Sequence, residues 1–142
     1  IYVTGSFWFQ AAPMAAALET LRLVRETDYL ERLQALGDRL ADGLRERARA
    51  AGFGFRVSGP TQMPLFLFDD DPDLRKGFCW SSEMLKRGVY AHPWHNMFMC
   101  AAMTEADIDA ALDAAEASFA VLKRQAPGLG PVEKMGFLVG QR

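Results

Sequence analysis

The sequence predicts an α+β domain in which a short, mostly antiparallel sheet is covered on one face by helices. Four segments repeat apolar residues at helical spacing, and several short runs have the composition of strands. No crossover helix of the usual length separates the first two strand candidates, which favours antiparallel pairing. The chain has 142 residues, and half of them are hydrophobic, so one well-packed core is expected.

Composition excludes several classes of protein. The formal net charge is −2, too close to balance for a dedicated nucleic-acid binder or a polybasic membrane module. Apolar stretches are interrupted well before the roughly 20 residues that a membrane span needs. Two cysteines, Cys79 and Cys100, cannot form a disulfide scaffold, which favours a reducing, cytoplasmic setting. Both are expected to be buried and inert, because no Lys or His is placed so that sequence proximity alone would lower the pKa of either thiol.

The first elements are an extended segment and two helices. Residues 2–9 favour extended backbone, and a helix is predicted from Pro13 to Arg25, since proline suits a first helical turn. Its apolar stripe comprises Met14, Leu18 and Leu21. A second, long amphipathic helix begins near Asp28 and ends at Gly52, where positive φ is favoured.

The middle of the chain changes to strand patterns. Phe55 and Val57 mark one strand, residues 63–68 mark a second, and residues 58–61 form the turn between them. The acidic run 69–73 lacks the glycine and closing glutamate of a calcium loop, so we expect a solvated turn. A third helix is predicted from Asp73 to Arg87, with Pro72 in its first position and Gly88 after its end.

Two further strands and a helix complete the pattern. Residues 89–91 and 97–100 are strand candidates on either side of a loop, residues 92–96. Thr104 is a clear N-cap for a final helix, and the acidic residues after it suit the positive end of the helix dipole. The composition loosens from Pro127 into a weakly ordered tail.

Two short pieces could carry chemistry. His92 and His95 lie three positions apart, but Pro93 breaks a helix and no ligand pair is near, so a metal site is disfavoured. A pocket-lining loop and a plain surface loop remain open. Thr4, Gly5 and Ser6 offer hydroxyl and backbone N–H donors for a phosphate, although such residues are also common in turns.

Read together, these segments resemble the C-terminal part of a class III pyridoxal-phosphate-dependent aminotransferase, and most of all the glutamate-1-semialdehyde aminomutase-like branch. The resemblance runs from about Tyr2 to Lys123. Four segments carry it. The first is a Gly-Ser segment followed by an Ala-rich helix (5–18), and the second is the start of the long helix (29–30). The third is an Arg-Gly-Val-Tyr run (87–90), and the fourth is an Ala-Ala-Met-Thr run with an acidic helix start (101–109).

The resemblance implies a fold-type-I homodimer that binds pyridoxal 5′-phosphate (PLP) and moves an amino group on a small amino acid, amino-aldehyde or keto substrate. It implies a division into the end of the large domain with its connecting helix (1–26), a small C-terminal domain (27–126) and a tail (127–142). Ser6 takes the place of the threonine that contacts the cofactor phosphate from the neighbouring subunit, with Gly5 and Thr4 beside it.

The Schiff-base lysine of the family would lie upstream of Ile1, a start that reads like the middle of a longer chain. None of the four lysines matches that position: Lys76, Lys86, Lys123 and Lys134. The sequence therefore predicts no catalytic residue and no metal ligand in this chain, and an inactive fragment if it is separated from the rest.

Departures from the family pattern point to the substrate. The family's Ser-Gly-Asn-Pro is replaced by residues 8–11, which puts that local turn in doubt. Counting back from Phe98, His95 stands where the aminomutase branch has a glutamate. We therefore expect Trp94 and His95 to line the substrate side of the pocket and to change the substrate or mechanism. The alternative is a stand-alone α+β module that binds a small ligand or a protein without catalysis.

Overall fold

The computed structural model describes Gly5 and residues 10–130 of the chain. The chain divides into two compact units, residues 1–32 and residues 33–142. The unit boundary lies inside the long second helix. The division predicted from the family resemblance, at residues 26 and 126, stays a prediction.

The first unit contains α1 (Ala11–Glu26) and the start of α2 (Tyr29–Ala51). α1 has the predicted position, but none of its residues is buried. Its apolar stripe is exposed, with Leu18 at 69% and Leu21 at 65%. Exposure of a contiguous apolar face is typical of a surface that another part of an assembly covers.

The second unit is a two-layer α+β arrangement, as the sequence predicts. Its elements after α2 are β1 (Phe55–Ser58), β2 (Leu65–Phe68), α3 (Arg75–Lys86), α4 (Glu105–Gln125) and a short 3₁₀ turn (Ala126–Gly128). β1 and β2 pair antiparallel, with Phe55 opposite Phe68 and Val57 opposite Phe66. Alternate residues of each strand are buried, because one face of the hairpin packs into the core.

Aromatic side chains form the centre of this core. Trp80 of α3 and Phe119 of α4 stack with their rings 5.4 Å apart, and each is 1% exposed. Phe55 of β1 meets both rings at nearly the same distance, 5.5 and 5.4 Å, in edge-on geometry. Phe66 and Phe68 of β2 join the same cluster. The core thus joins the hairpin to both helices through large apolar areas.

α2 packs closely on α4. An ideal Cβ built on Gly43 would contact the side chain of Leu112, so the absence of a side chain permits this approach. Arg39 pairs with Asp109 at 2.5 Å and with Glu105 at 3.6 Å across the same helices. These pairs are largely exposed, so apolar burial supplies most of the stability.

Three helix boundaries follow local chemistry. α2 ends as predicted before Gly52, which has φ +89°. α4 begins at Thr104 with a capping box: the Thr104 hydroxyl accepts from the Asp107 N–H, and the Asp107 carboxylate accepts from the Thr104 N–H. α3 ends near the predicted place, and Gly88 follows it with φ +82°.

The start of α3 is two residues later than the sequence predicts, so the placement of Pro72 in its first position was wrong. Asp71 is 6% exposed, and its carboxylate accepts hydrogen bonds from the N–H groups of Lys76 and Gly77, at 2.9 and 2.8 Å. That carboxylate satisfies N–H groups of the first turn, which have no partner within a helix. The expectation of a solvated acidic turn was therefore wrong for Asp71.

The segments 89–91 and 97–100 are not strands, and this part of the prediction was wrong. Residues 97–99 run beside the end of the hairpin turn, where the Met97 N–H donates to the Pro64 carbonyl at 2.8 Å. The Met99 N–H donates to the Gln62 carbonyl at 2.9 Å. Residues 62 and 64 lie outside β2, so these bonds hold an extended segment without extending the sheet.

Candidate functional site

The segment between α3 and α4 is the candidate functional site within the described residues. Its central part, residues 92–96, is named here the His92 loop. It lies against the start of α3: an ideal Cβ on Gly77 would be 3.0 Å from the Pro93 Cβ and 3.5 Å from the Asp71 carboxylate. The Phe78 and Trp94 rings meet edge-on at 6.3 Å. The His92 loop therefore packs on the start of α3 through Pro93 and Trp94.

His92 organises the loop from within. Its Nδ1 accepts the backbone N–H groups of Trp94 at 3.3 Å and of His95 at 3.1 Å. Its ring stacks on the Trp94 indole, with centroids 4.6 Å apart and planes 23° apart. Burial lowers the pKa of His92, and the nearby His95 lowers it further. Sequence reasoning noted His92 only as a member of a pair and missed this role.

His95 is exposed, and its ring has a defined tautomer. Its Nδ1 lies 2.8 Å from the backbone carbonyl of Asn96. A carbonyl oxygen can only accept, so this nitrogen carries the hydrogen. Nε2 is then the atom that changes with protonation: it accepts in the neutral ring and donates in the cation.

Trp94 is half-buried and next to the exposed His95. The two predicted substrate residues are therefore adjacent, on a loop with internal hydrogen bonds. The predicted phosphate residues are a different case. Thr4 and Ser6 lie outside the described residues, and Gly5 is exposed. The assignment of all five residues stays a prediction.

A cavity of about 520 Å³ is lined by other residues of the same segment, residues 87–91, 97–99 and 103, together with residues of the helices and of β2. It is mostly apolar, with Met84, Tyr90 and Phe98 among its lining side chains. Its charged members are already engaged, since Arg87 binds Glu83 at 2.8 Å and Asp107 binds Thr104 at 2.7 Å. Neither Trp94 nor His95 lines it. An apolar cavity without convergent polar groups suits packing of another polypeptide surface better than recognition of a small polar substrate.

Other chemistry is limited within the part of the chain that the structure describes. No group of three or more His, Cys, Asp or Glu residues is placed to hold a metal ion there. Cys79 is partly buried, and burial raises its pKa, whereas Cys100 is exposed and not buried as predicted. None of the described helices has the length and apolarity needed to cross a membrane.

The described residues do not by themselves make a PLP site. Lys86 is exposed and pairs with Glu83 at 2.5 Å, and Lys123 lies on the exposed face of α4. Lys76 donates its backbone N–H to Asp71 at the start of α3. An imine-forming lysine needs a cofactor pocket around its amine, and the side chains of Lys86 and Lys123 are exposed.

The fold of this chain is that of the small domain of PLP-dependent transaminases, as the sequence resemblance implied. It superposes on the FumI protein of Sphingopyxis sp. MTA144, solved in its PLP internal aldimine form, with a TM-score of 0.86 and 50% identity. That match covers 92% of this chain and 32% of the solved chain.

Curated relatives place the chain in the same class. It is 50% identical over 131 residues to the aminopentol aminotransferase of Sphingopyxis macrogoltabida, covering 92% of this chain and 31% of that protein. It is 36% identical over 138 residues to glutamate-1-semialdehyde 2,1-aminomutase of Bordetella avium, covering 87% of this chain and 32% of that enzyme. No family model matches the sequence.

The chain therefore resembles the C-terminal part of class III PLP-dependent aminotransferases and of glutamate-1-semialdehyde aminomutases. It spans about a third of the length of the curated relatives that it matches. The alternative of a stand-alone binding module gains no support from these comparisons.

Proposed function

We propose that the chain forms the small domain of a PLP-dependent aminotransferase that acts on small amines, including amino alcohols. The 50% identity with an aminopentol aminotransferase carries this proposal. That identity exceeds the 36% identity with an aminomutase, which favours amino transfer between two molecules over a shift within one. When bound, PLP supplies an electron sink for carbanion chemistry.

In this proposal Trp94 and His95 face the substrate. The Trp94 indole supplies an apolar wall beside the polar His95 ring. Nε2 of neutral His95 accepts a hydrogen bond from a substrate ammonium or hydroxyl group, whereas the cation donates to a carbonyl or carboxylate. Compared with a glutamate at this place, the imidazole removes a permanent negative charge. The site then tolerates acidic and polyol substrates that a carboxylate would repel or bind differently.

The cofactor and partner assignments rest on the resemblance. Ser6, with Gly5 and Thr4, contacts the PLP phosphate from the neighbouring subunit of a homodimer. The exposed apolar stripe of α1 supports an assembly, because Met14, Leu18 and Leu21 gain burial only against another surface. The lysine that binds the cofactor is supplied outside this chain, so the separated chain is inactive.

The first test measures amino transfer by the full-length enzyme with PLP, using an amino alcohol and glutamate-1-semialdehyde as alternative substrates. The proposal expects keto-acid-dependent consumption of the amino alcohol with a higher kcat/KM. Isomerisation of glutamate-1-semialdehyde without a second substrate would overturn the assignment as a transaminase. A stable, specific band of covalently bound PLP in the separated chain would overturn the assignment of the lysine to another part of the enzyme.

The second test addresses the substrate loop. His95→Ala is expected to lower kcat/KM about tenfold, the usual value of one polar contact. Cys100→Ala is the matched control, since Cys100 is also exposed in the segment between α3 and α4 and has no assigned role. Unchanged kinetics of His95→Ala with every amino donor would remove His95 from the substrate site.

A further inference from the structure

The His92 ring is bonded to the backbone of its own loop. Nδ1 accepts from the N–H groups two and three positions ahead, those of Trp94 and His95. This arrangement has the connectivity of the turns that Asn and Asp side chains make with following backbone N–H groups. Because Nδ1 accepts both bonds, it carries no hydrogen, and the neutral ring has its hydrogen on Nε2.

We propose that His92 is the positioning residue that fixes the backbone of Trp94 and His95 and thereby aims both side chains at the substrate. The proposal rests on the function proposed above for what those side chains touch, but the loop geometry stands without it. His92 itself does not touch the substrate. Its effect on catalysis passes through the two N–H groups that it accepts and through the indole on which it stacks.

The surroundings support this role. The His92 ring stacks on Trp94, and the ring centroids of Tyr90 and His95 lie 6.4 and 5.9 Å away. The Asp71 carboxylate, which precedes α3 and lies near Gly77, is engaged by two backbone N–H groups. The base of the loop is thus held by α3, and its tip depends on His92.

Protonation of His92 would break this arrangement. A hydrogen on Nδ1 removes the lone pair that accepts both N–H groups, so the cation cannot keep the loop geometry. The titratable groups with rings beside His92 are His95 and Tyr90, and the Asp71 carboxylate, which precedes α3, lies near Gly77 next to the loop residue Pro93. Burial and His95 lower the pKa of His92 below its ordinary 6.5, so the neutral acceptor persists into mildly acidic solution.

Two substitutions of His92 distinguish its role as a hydrogen-bond acceptor from its ability to take up a proton. His92→Asn keeps an acceptor oxygen that reaches the same N–H groups, and it does not titrate. His92→Leu keeps apolar bulk but removes the acceptor. The proposal expects His92→Leu to raise KM about tenfold in the full-length enzyme, and His92→Asn to stay within about twofold of the parent. His92→Asn also removes the acidic limb of the pH profile that His92 contributes.

The decisive readout needs no activity. The 142-residue sequence has two histidines, so ¹H–¹⁵N NMR of their imidazole rings separates them with one His95→Gln variant. The proposal expects His92 as the Nε2–H tautomer and His95 as the Nδ1–H tautomer at neutral pH. A hydrogen on His92 Nδ1, or His92→Leu with unchanged amide shifts at residues 94 and 95, would overturn the positioning role. Loss of amino transfer with the tautomers intact would instead overturn the proposed function alone.

Discussion

The aromatic core and the His92 loop are held together by different kinds of interaction. Trp80 and Phe119 are almost fully buried and make ring contacts to both strands, so many weak contacts share the stabilisation. The loop depends on a few directional bonds, above all those to His92 Nδ1, and the residues just after it are held by the bonds of Met97 and Met99 to residues 64 and 62. A substitution in the core therefore changes stability, whereas one in the loop changes geometry while the fold persists.

The largest effect on the free energy of unfolding is expected for a substitution in the aromatic core. Trp80→Ala should lower the free energy of unfolding by about 3–5 kcal/mol, because it leaves a large cavity among rings that cannot collapse. Urea denaturation followed by circular dichroism measures it. Leu85→Ala is the control on the same helix, since Leu85 is 59% exposed, and it should change little. A loss below about 1 kcal/mol for Trp80→Ala would show that the cluster is not the main source of stability.

Strain introduced into α2 at Gly37 is expected to reach residues 97–99. A Cβ on Gly37 would overlap the backbone carbonyl of Thr61, and the neighbouring residues 62 and 64 accept the N–H groups of Met99 and Met97. Gly37→Ala should therefore cost about 1–3 kcal/mol and shift the amide resonances of residues 97–99.

Gly43→Ala is the matched control on the same helix. Its Cβ would meet the flexible Leu112 side chain and no backbone. We expect Gly43→Ala to leave the resonances of residues 97–99 in place. Equal shifts in both variants would mean that Thr61 does not transmit the strain.

A smaller effect is expected at the junction of the two regions. Asp71→Ala removes the acceptor for two N–H groups at the start of α3 and should cost about 1–2 kcal/mol. Asp70→Ala, next to it and exposed, should be close to neutral in the same thermal melt. If the two variants melt together, the buried carboxylate does not stabilise α3.

The smallest effect is at the start of α4. Thr104→Ala should cost about 1 kcal/mol, and Thr104→Ser should retain most of the cap. The Thr104 hydroxyl and N–H lower the pKa of Asp107 from its usual 3.8. The stability gained from this bond is therefore present above pH 3.8 and lost as the pH falls through the lower pKa of the folded state.

Denaturation curves of the parent and Thr104→Ala between pH 7 and pH 2 check that sign. The difference between the two proteins should shrink at the acidic end of the range. A difference that grows as the pH falls would contradict the capping box as its source.

The sequence predicted the core better than the loop for a physical reason. Periodic apolar residues such as Ile108, Leu112 and Phe119 mark a buried helix face without knowledge of any other segment. Caps are similarly local, and Thr104 was found from its own neighbours. Residues 97–100 have the composition of a strand, but their partners are Gln62 and Pro64, at the end of a turn, and no local pattern encodes that pairing.

Two polar residues were missed, and only one of them has a spacing that indicates its role. Asp71 accepts from N–H groups five and six positions ahead, whereas an N-cap side chain accepts from N–H groups two or three positions ahead. His92 precedes Pro93 and two residues whose N–H groups it accepts, which is the spacing of an Asx-type turn. Both were missed because histidine and clustered aspartates were considered as metal ligands rather than as acceptors for backbone.

The two backbone hydrogen bonds to His92 Nδ1 have a consequence for redesign of the loop. The donors are the backbone N–H groups of residues 94 and 95, so these two bonds do not depend on which side chains stand there. A library that varies only Trp94 and His95 would exchange the side chains proposed to face the substrate and would remove the Trp94 stacking, but it would keep the main-chain N–H groups that His92 accepts. Variants with a different substrate range could then be selected while the two backbone hydrogen bonds of the loop are retained.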